Sequence, residues 1–503
     1  MAGIDPMRPW RAYAGGSART VAGSAKPAVL LLALALAPFA GASAGAGHAW
    51  SATGTPSLQV GASDPASAAR PIDLSVGQTP RPDYLLPALQ IGAFQFLLNR
   101  FDNRFIGDDF AVSRRSIRRN LHSGWTTDND SFVVNQIGHP YQGSVYYGLA
   151  RSNGLPFWPA FGYAFAGSAV WEIAGETTPP SKNDQITTSI GGSFLGESLF
   201  RMSHLLLERG GGLAPAWREL GAAAISPPLG LNRYLGVAGA RAFDSGQPAT
   251  FARYQAGGST ALHANLGPSL ARGGSEAAVE FSLDYGLPGK EGYQYRRPFD
   301  YFSFQVRATD RGVESLTNRG LLLGSAYAAG ERYRGIWGLY GSFDYLAPQV
   351  FRLSSTALSL GSTGQWRMSP SMALLGHASA GMGYTAMGTV RSAAPRDDRY
   401  GLAPQMLLAL RLVMGNEASL DLVARKYLAG NLIRSTSDAT DRVFRGEAAL
   451  TVRMRRNHLV SLKYITSRRD SALFGPGAPT QRRDTIGVYY TYQPSDGFGV
   501  AGL

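Results

Sequence analysis

The side chains best suited to chemistry fall in one third of the chain, and the most versatile of them is His139. An imidazole beside carboxylates can act as a general acid or base. In that reading His139 is the base, its ring is oriented by Asn135 or by a carboxylate of Glu172 or Glu176, and His139, Glu172 and Glu176 are the catalytic candidates. The structural alternative makes His139 the cap and pivot of a helix opening at Pro140, because proline suits the first helical position. Both readings stay open at the level of sequence. Glu172 and Glu176 are spaced to share a helix face, and two carboxylates with a histidine can ligate a hard or borderline metal. Neither Glu-x-x-His nor His-Glu-x-x-His occurs, so no metal and no cofactor are expected. A lone buried charge is costly, and Glu172 sits in an apolar stretch, so Arg151 is its expected partner.

The remaining polar residues read as architecture. Ser181 and Asp184, in Ser-x-x-Asp before a helical run, are expected to cap that helix. Ser181 lacks the Gly-x-Ser-x-Gly elbow that exposes a nucleophile. Asn135, Arg151, Asp184, Glu197 and Arg201 are expected to form a buried polar network. Glu197, Arg201, His204 and Glu208 follow one stripe, either a solvated ion-paired face or a polar seam against the second domain. Gly191, Gly192 and Gly196 permit close helix contact. Arg114, Arg115, Arg118 and Arg119 make a basic face for water or for acidic lipid headgroups.

The stretches "WTTDNDSFVVNQIGHPYQGSVYYGLARSNG", then "WE", then "PSKNDQITTSIGGSFLGE" resemble, in order, the bacterial family catalogued as domain of unknown function 3943. The likeness covers roughly residues 90 to 210. It implies an exported protein with a helical domain and a β-rich C-terminal half, and it supplies no activity.

The elements that must hold these residues follow from pattern. Arg8, Arg11, Arg19 and Lys26 precede an apolar run from Pro27 to Ala37 and small residues near Ala44 or Ala49, as in an export signal over 1–49. Residues 50–80 are Pro/Gly/Ser-rich and read as a flexible tether. From 81 to 212 apolar residues recur at spacings of three and four, predicting helices. From 228 to 503 the period changes to two. In "YFSFQVRATD", Phe302, Phe304, Val306 and Ala308 oppose Ser303, Gln305, Arg307 and Thr309. "TIGVYYTYQ" sets Ile486, Val488, Tyr490 and Tyr492 against Thr485, Gly487, Tyr489 and Thr491. Segments of about ten residues with one apolar face, one polar face and aromatic ends fit transmembrane strands.

Composition narrows the class. With 0 Cys among 503 residues, thiolate metal sites, thiol nucleophiles and a lipoprotein anchor are excluded. The net charge of +13 falls to about +10 without the leader, which suits a phosphate-rich surface. No zinc-finger spacing or ribonucleoprotein signature points to nucleic acid. The expectation is an α+β chain: a helical domain followed by an antiparallel transmembrane barrel of about 12 strands. Its expected place is the outer membrane, with the helices in the barrel lumen or beneath it in the periplasm. Its expected partners are outer-membrane lipid or lipopolysaccharide and the barrel-assembly machinery. A structural or transport-like role is expected; the alternative is an envelope hydrolase acting on lipid or lipopolysaccharide.

Overall fold

The computed structural model describes residues 82–127, 130–210, 212–265, 274–388, 398–429, 441–471 and 480–501. The expected export signal and tether lie outside the described residues. Twelve strands close into a barrel: β1 (Thr250–Asn265), β2 (Ser275–Tyr285), β3 (Phe302–Thr309), β4 (Gly312–Ala329), β5 (Tyr333–Leu346), β6 (Arg352–Ser369), β7 (Met372–Gly388), β8 (Arg399–Met414), β9 (Ala418–Ala429), β10 (Asp441–Arg455), β11 (His458–Ser471) and β12 (Gln481–Tyr492). Each strand pairs antiparallel with its sequence neighbours, and β1 pairs with β12. Closure leaves no sheet edge, so the backbone groups of the ladder are satisfied without water.

Ion pairs reveal which parity faces inward. Arg411 on β8 reaches Asp284 on β2 at 3.4 Å, and Arg445 on β10 reaches Glu314 on β4 at 2.8 Å. These strands lie on opposite sides of the ring, so the bonds cross the lumen. The intervening positions point outward and are apolar: Met406 and Leu408 on β8, Leu450 and Val452 on β10, Leu462 on β11 and Val488 on β12 all stand exposed. Exposed arginines of that outer face, Arg442, Arg468 and Arg482, gather at one end. That end carries the longer connections 266–274, 347–351, 389–398, 430–440 and 472–480, together with the two-residue turn 310–311. The other end has the short turns 330–332, 370–371, 415–417 and 456–457.

Two segments close the short-turn mouth. The connection 286–301 crosses it, and the tail after β12 turns back into the lumen. The Ala501 N–H donates to Gln365 Oε1 at 3.0 Å, and its carbonyl accepts from Gln365 Nε2 at 2.9 Å. Phe498 packs against the inward residues Ala373, Leu375, Val413 and Leu459.

The helices are α1 (Leu85–Phe105), α2 (Arg114–His122), α3 (His139–Ser152), α4 (Phe157–Ala174), α5 (Lys182–Ile186), α6 (Gly192–Arg209), α7 (Pro215–Ile225) and α8 (Pro227–Tyr234). The helical part therefore runs beyond 212, through a short turn at Ala238–Arg241, and the barrel opens at Thr250 rather than 228. Apolar periodicity could not show this, because Pro227 and Pro228 look like a break but form the first turn of α8. Wide π-helical turns at Val134–Gly138 and Thr187–Gly191 lead directly into α3 and α6. Two glycines let those helices meet backbone to backbone. A Cβ on Gly143 would lie 1.7 Å from the Thr188 carbonyl oxygen, and one on Gly192 would lie 2.7 Å from Gly143 Cα.

The helices pack on the outside of the barrel wall. Phe194 of α6 lies over Gly341, where a Cβ would come within 2.5 Å of its ring. Asn318 Nδ2 donates to the Phe194 carbonyl at 2.7 Å, and Asn318 Oδ1 accepts from the Ser198 hydroxyl at 2.7 Å. Gly191 sits over Phe343 and Thr356, and the Phe132 ring lies 6.1 Å from that of Tyr345. Asn318, Gly341, Phe343, Tyr345 and Thr356 all point outward. The expected place in the lumen or beneath the barrel is thus corrected: the described helices lie on the outer wall, and the lumen is lined by the barrel's own side chains and entered by its tail. Helices cover the part of the apolar outer face of β2–β5 that carries Phe281, Phe304 and Phe343, while Val279, Leu323 and Trp337 of the same face stay exposed.

Candidate functional site

The helical domain holds two separate polar centres where the sequence suggested one. The first is organised by Glu197, which is 0% exposed. Its Oε2 accepts from the Tyr147 hydroxyl at 2.8 Å and from Arg151 Nε at 2.7 Å. Its Oε1 accepts from Arg201 Nε at 2.7 Å and from Arg151 Nη2 at 3.2 Å. Arg201 then leaves the helices: Nη1 donates to Asp300 Oδ1 at 3.0 Å and Nη2 to the Pro298 carbonyl at 2.8 Å, both in the 286–301 connection. Burial alone would raise the Glu197 pKa, but Arg151 and Arg201 outweigh it and hold the carboxyl down to about 2. This centre is an ionised clamp joining α3, α6 and the barrel.

Arg151 is therefore the partner of Glu197, correcting its expected pairing with Glu172. The stripe Glu197, Arg201 and His204 is buried, not solvated. Burial, with Arg233 and Arg151 nearby, pushes the His204 ring down to about 3, so it stays neutral. Its own packing is aromatic, 4.6 Å from the Phe200 ring.

The second centre gathers His139, Glu172, Asp184, Glu176 and Asp102. His139 Nε2 faces Asp184 Oδ1 at 3.9 Å. Ser181 caps α5: its Oγ accepts the Asp184 N–H at 3.2 Å and donates to Asn183 Oδ1 at 2.9 Å. The return bond of the cap comes from elsewhere, since Glu172 Oε2 accepts the Ser181 N–H at 2.9 Å. Glu176 Oε1 accepts from Trp171 Nε1 at 2.7 Å. Burial, followed by the Glu176 charge, raises the Glu172 carboxyl well above the ordinary carboxylate range, and His139 draws it back only in part. Burial and Glu176 likewise raise Asp102 to about 6. The group is rich in carboxyls, two of them pushed above the ordinary range, around one imidazole whose Nδ1 is buried with no hydrogen-bond partner among the described residues. Such an arrangement can hold and move protons.

Asn135 does not orient His139. Its Nδ2 donates to the Tyr400 hydroxyl on β8 at 3.1 Å, tying the π turn to the barrel. His139 is no hinge either, because its backbone is helical (φ −63°, ψ −46°) and the π turn continues into α3. Sequence reasoning missed Asp102, Tyr147 and Asp300. Tyr147 was findable, since it shares a face with Arg151. Asp102 is the last member of the buried stripe of α1.

A third polar region lies within the barrel. Arg253 meets Asp421 at 2.8 Å, Lys463 meets Glu280 at 2.7 Å, and Arg319 faces Asp344 at 3.7 Å. These pairs leave a cavity of about 180 Å³, lined in part by Arg253, Glu280, Asp284, Arg411 and Asp421.

Residues 124–228 match the family described as domain of unknown function (DUF3943), a span containing both centres except Asp102 and Asp300. No curated protein matches the chain. Among solved structures it is similar to the NanC porin (10% identity, covering 48% of this chain and 98% of that one, TM-score 0.27). It is also similar to the outer membrane channel DcaP of Acinetobacter baumannii (7% identity, 48% and 96% covered, TM-score 0.25) and to the KdgM porin (7% identity, 48% and 98% covered, TM-score 0.23).

Proposed function

We propose that the protein is an outer-membrane barrel whose lumen is structural and whose outer wall carries the helical domain. The observation that carries this reading is the set of charge pairs crossing the lumen between distant strands, Arg411–Asp284, Arg445–Glu314, Arg253–Asp421 and Lys463–Glu280. A conducting channel needs a continuous wet path. Here the charges satisfy one another, and the 493–501 tail occupies the short-turn mouth. The lipid-facing belt supports a spanning barrel, with short turns on the periplasmic side and longer connections outside. In this reading the partners are outer-membrane lipid or lipopolysaccharide around the wall and the barrel-assembly machinery during insertion. The test is single-channel recording in planar bilayers. Insertion without steady conductance is expected, and an ohmic porin-sized step refutes the structural lumen.

One observation favours a second reading, an envelope hydrolase acting on lipid or lipopolysaccharide. Among the described residues His139 Nδ1 has no hydrogen-bond partner, and it lies near Glu172, whose carboxyl burial pushes above the ordinary range. In that reading His139 is the base, and Glu172 and Glu176 assist. Ser181 is unsuited as nucleophile, since its hydroxyl is committed to Asn183, so water would have to attack. A changed membrane lipid profile that His139→Ala abolishes, in a protein that still folds, would establish this reading.

A further inference from the structure

α1 is built inside out. Its buried stripe includes Gln95, Asn99 and Asp102, whereas Leu85, Leu89, Phe96 and Leu97 stand exposed. Gln95 Nε2 donates to the Gly167 carbonyl at 2.6 Å and Asn99 Nδ2 to the Gly175 carbonyl at 2.9 Å, so the polar groups point at α4 and the segment that ends it. α4 follows the same rule. Its one charge, Glu172, is buried, while Trp158, Phe165 and Val170 are exposed. A helix facing water shows the opposite polarity. From Tyr84 to Asn99 no residue is charged; charge returns at Arg100 and Arg104 and continues with the exposed Arg114, Arg115 and Arg118 of α2.

This apolar surface adjoins the belt of the barrel. On β6, Thr356 lies beneath Gly191 while Leu358, the next outward residue, is exposed; on β2, Phe281 is covered while Val279 is exposed. The helices also run along the barrel wall from end to end. Phe157, opening α4, stacks at 5.8 Å on Phe299 at the short-turn end. Gly191, leading into α6, sits over Thr356 near the long-connection end, and Arg209 at the other end of α6 donates to the Pro248 carbonyl just before β1. With 21 residues in α1 and 18 in α4, their lengths at 1.5 Å per residue are about 27–32 Å, close to the ~30 Å hydrocarbon layer. None of the described helices is long and apolar enough to cross a membrane by itself; only their outward faces have this character.

We propose that the exposed faces of α1 and α4 lie against the acyl chains of the membrane that the barrel spans. The helical domain is then a lipid-immersed layer on the barrel wall, and the His139 centre lies at its charged end, beside the last turns of α1 and α4. This inference rests on the spanning reading of the barrel, and the experiment separates the two.

The full chain is inserted into vesicles of phosphatidylcholine brominated either near the headgroup end of the acyl chain or at mid-chain, and the tryptophan fluorescence of Trp158→Phe and Trp337→Phe variants is subtracted from that of the unaltered protein. Trp158 is 51% exposed on α4, and Trp337 is 58% exposed on the outer face of β5. Both contributions are expected to lose most of their intensity to bromine and to be unreachable by aqueous iodide. Quenching of Trp337 by bromine and of Trp158 by iodide would overturn the inference while the barrel reading stands. So would a Trp158 reached by neither quencher, the result if a second copy of the chain covers α4. Bromine quenching of neither residue overturns both readings. Because the chain has 0 Cys, Phe165→Cys and Leu97→Cys give single thiols for an independent check. Each is expected to resist a membrane-impermeant maleimide in vesicles and to react once the protein is unfolded; prompt labelling of the folded protein in vesicles would overturn the inference.

Discussion

Acid should loosen the junction between helices and barrel through one carboxyl, Glu197. Its folded pKa of about 2 lies below the ordinary 4.5 because two guanidinium groups share it. A group whose folded pKa is depressed contributes its full stabilisation above the unfolded value and loses it as pH falls towards the folded value. At about 1.4 kcal/mol for each pH unit, the interval from 4.5 to about 2 is worth about 3 kcal/mol. The perturbation is Glu197→Gln. It leaves Arg151 without its carboxylate and Arg201 with Asp300 alone, which should cost about 3–5 kcal/mol at neutral pH. The assay is urea unfolding of the helical part, followed by helical circular dichroism in vesicles, at a series of pH values from neutral to about 2. The unaltered protein should lose about 3 kcal/mol more than the variant across that window. Asp300 and the remaining carboxyls are present in both proteins, so the difference isolates Glu197. Parallel pH dependences would refute the reasoning, because Glu197 would then not be the ionised centre of the clamp.

Three further outcomes follow from named contacts. Gly143→Ala should prevent α3 and α6 from meeting, since its Cβ would fall 1.7 Å from a backbone oxygen, whereas Gly92→Ala on the outer face of α1 meets nothing within 4 Å. Urea midpoints should therefore drop steeply for the first and rise slightly, by up to ~1 kcal/mol of helix propensity, for the second. Phe498→Ala should open the short-turn mouth, where its ring lies 5.1 Å from the Arg453 guanidinium; an ion leak in planar bilayers is expected, and its absence would mean the tail is not the seal. His139→Ala should keep heat-modifiable mobility and leave membrane lipids unchanged under the structural reading; a folded variant with an altered lipid profile would favour the hydrolase.

Strand period, barrel closure and the polarity of the two faces were legible because side chains alternate strictly along a strand. What covers the outer face was not legible. Phe302, Phe304 and Val306 make the same pattern whether lipid or a helix lies against them, and here helices do. The pairing error at Arg151 has a similar cause. Glu172 and Glu197 were equally good partners by charge, and only the glycine contact between α3 and α6 selects Glu197. The two four-residue spacings, Tyr147 to Arg151 and Glu197 to Arg201, do match as facing pairs once that contact is known. The tail was opaque because "GFGVAGL" has no periodicity, and Phe498 adopts a positive φ of 50° that no propensity argument anticipates.

The two centres of the helical domain also differ in a way that bears on function. In the Glu197 centre both carboxylate oxygens accept bonds, and the arginines reach carbonyls as well, so the charges are balanced and bonded. Such a centre specifies one arrangement of helices. In the His139 centre the buried His139 Nδ1 has no hydrogen-bond partner among the described residues, and neither has the buried His204 Nε2 beside the Glu197 clamp. Burial also pushes two carboxyls of the His139 centre, Glu172 and Asp102, above the ordinary carboxylate range. Leaving a buried polar group unbonded costs about 1–3 kcal/mol, and two π turns adjoin this centre, a distortion frequent at functional sites. A fold needing only rigidity would gain from replacing His139 and its neighbours by apolar residues. The cost falls on the group around His139, Asp184 and Glu172, whereas the Glu197 clamp ties α3 and α6 to the 286–301 connection of the barrel.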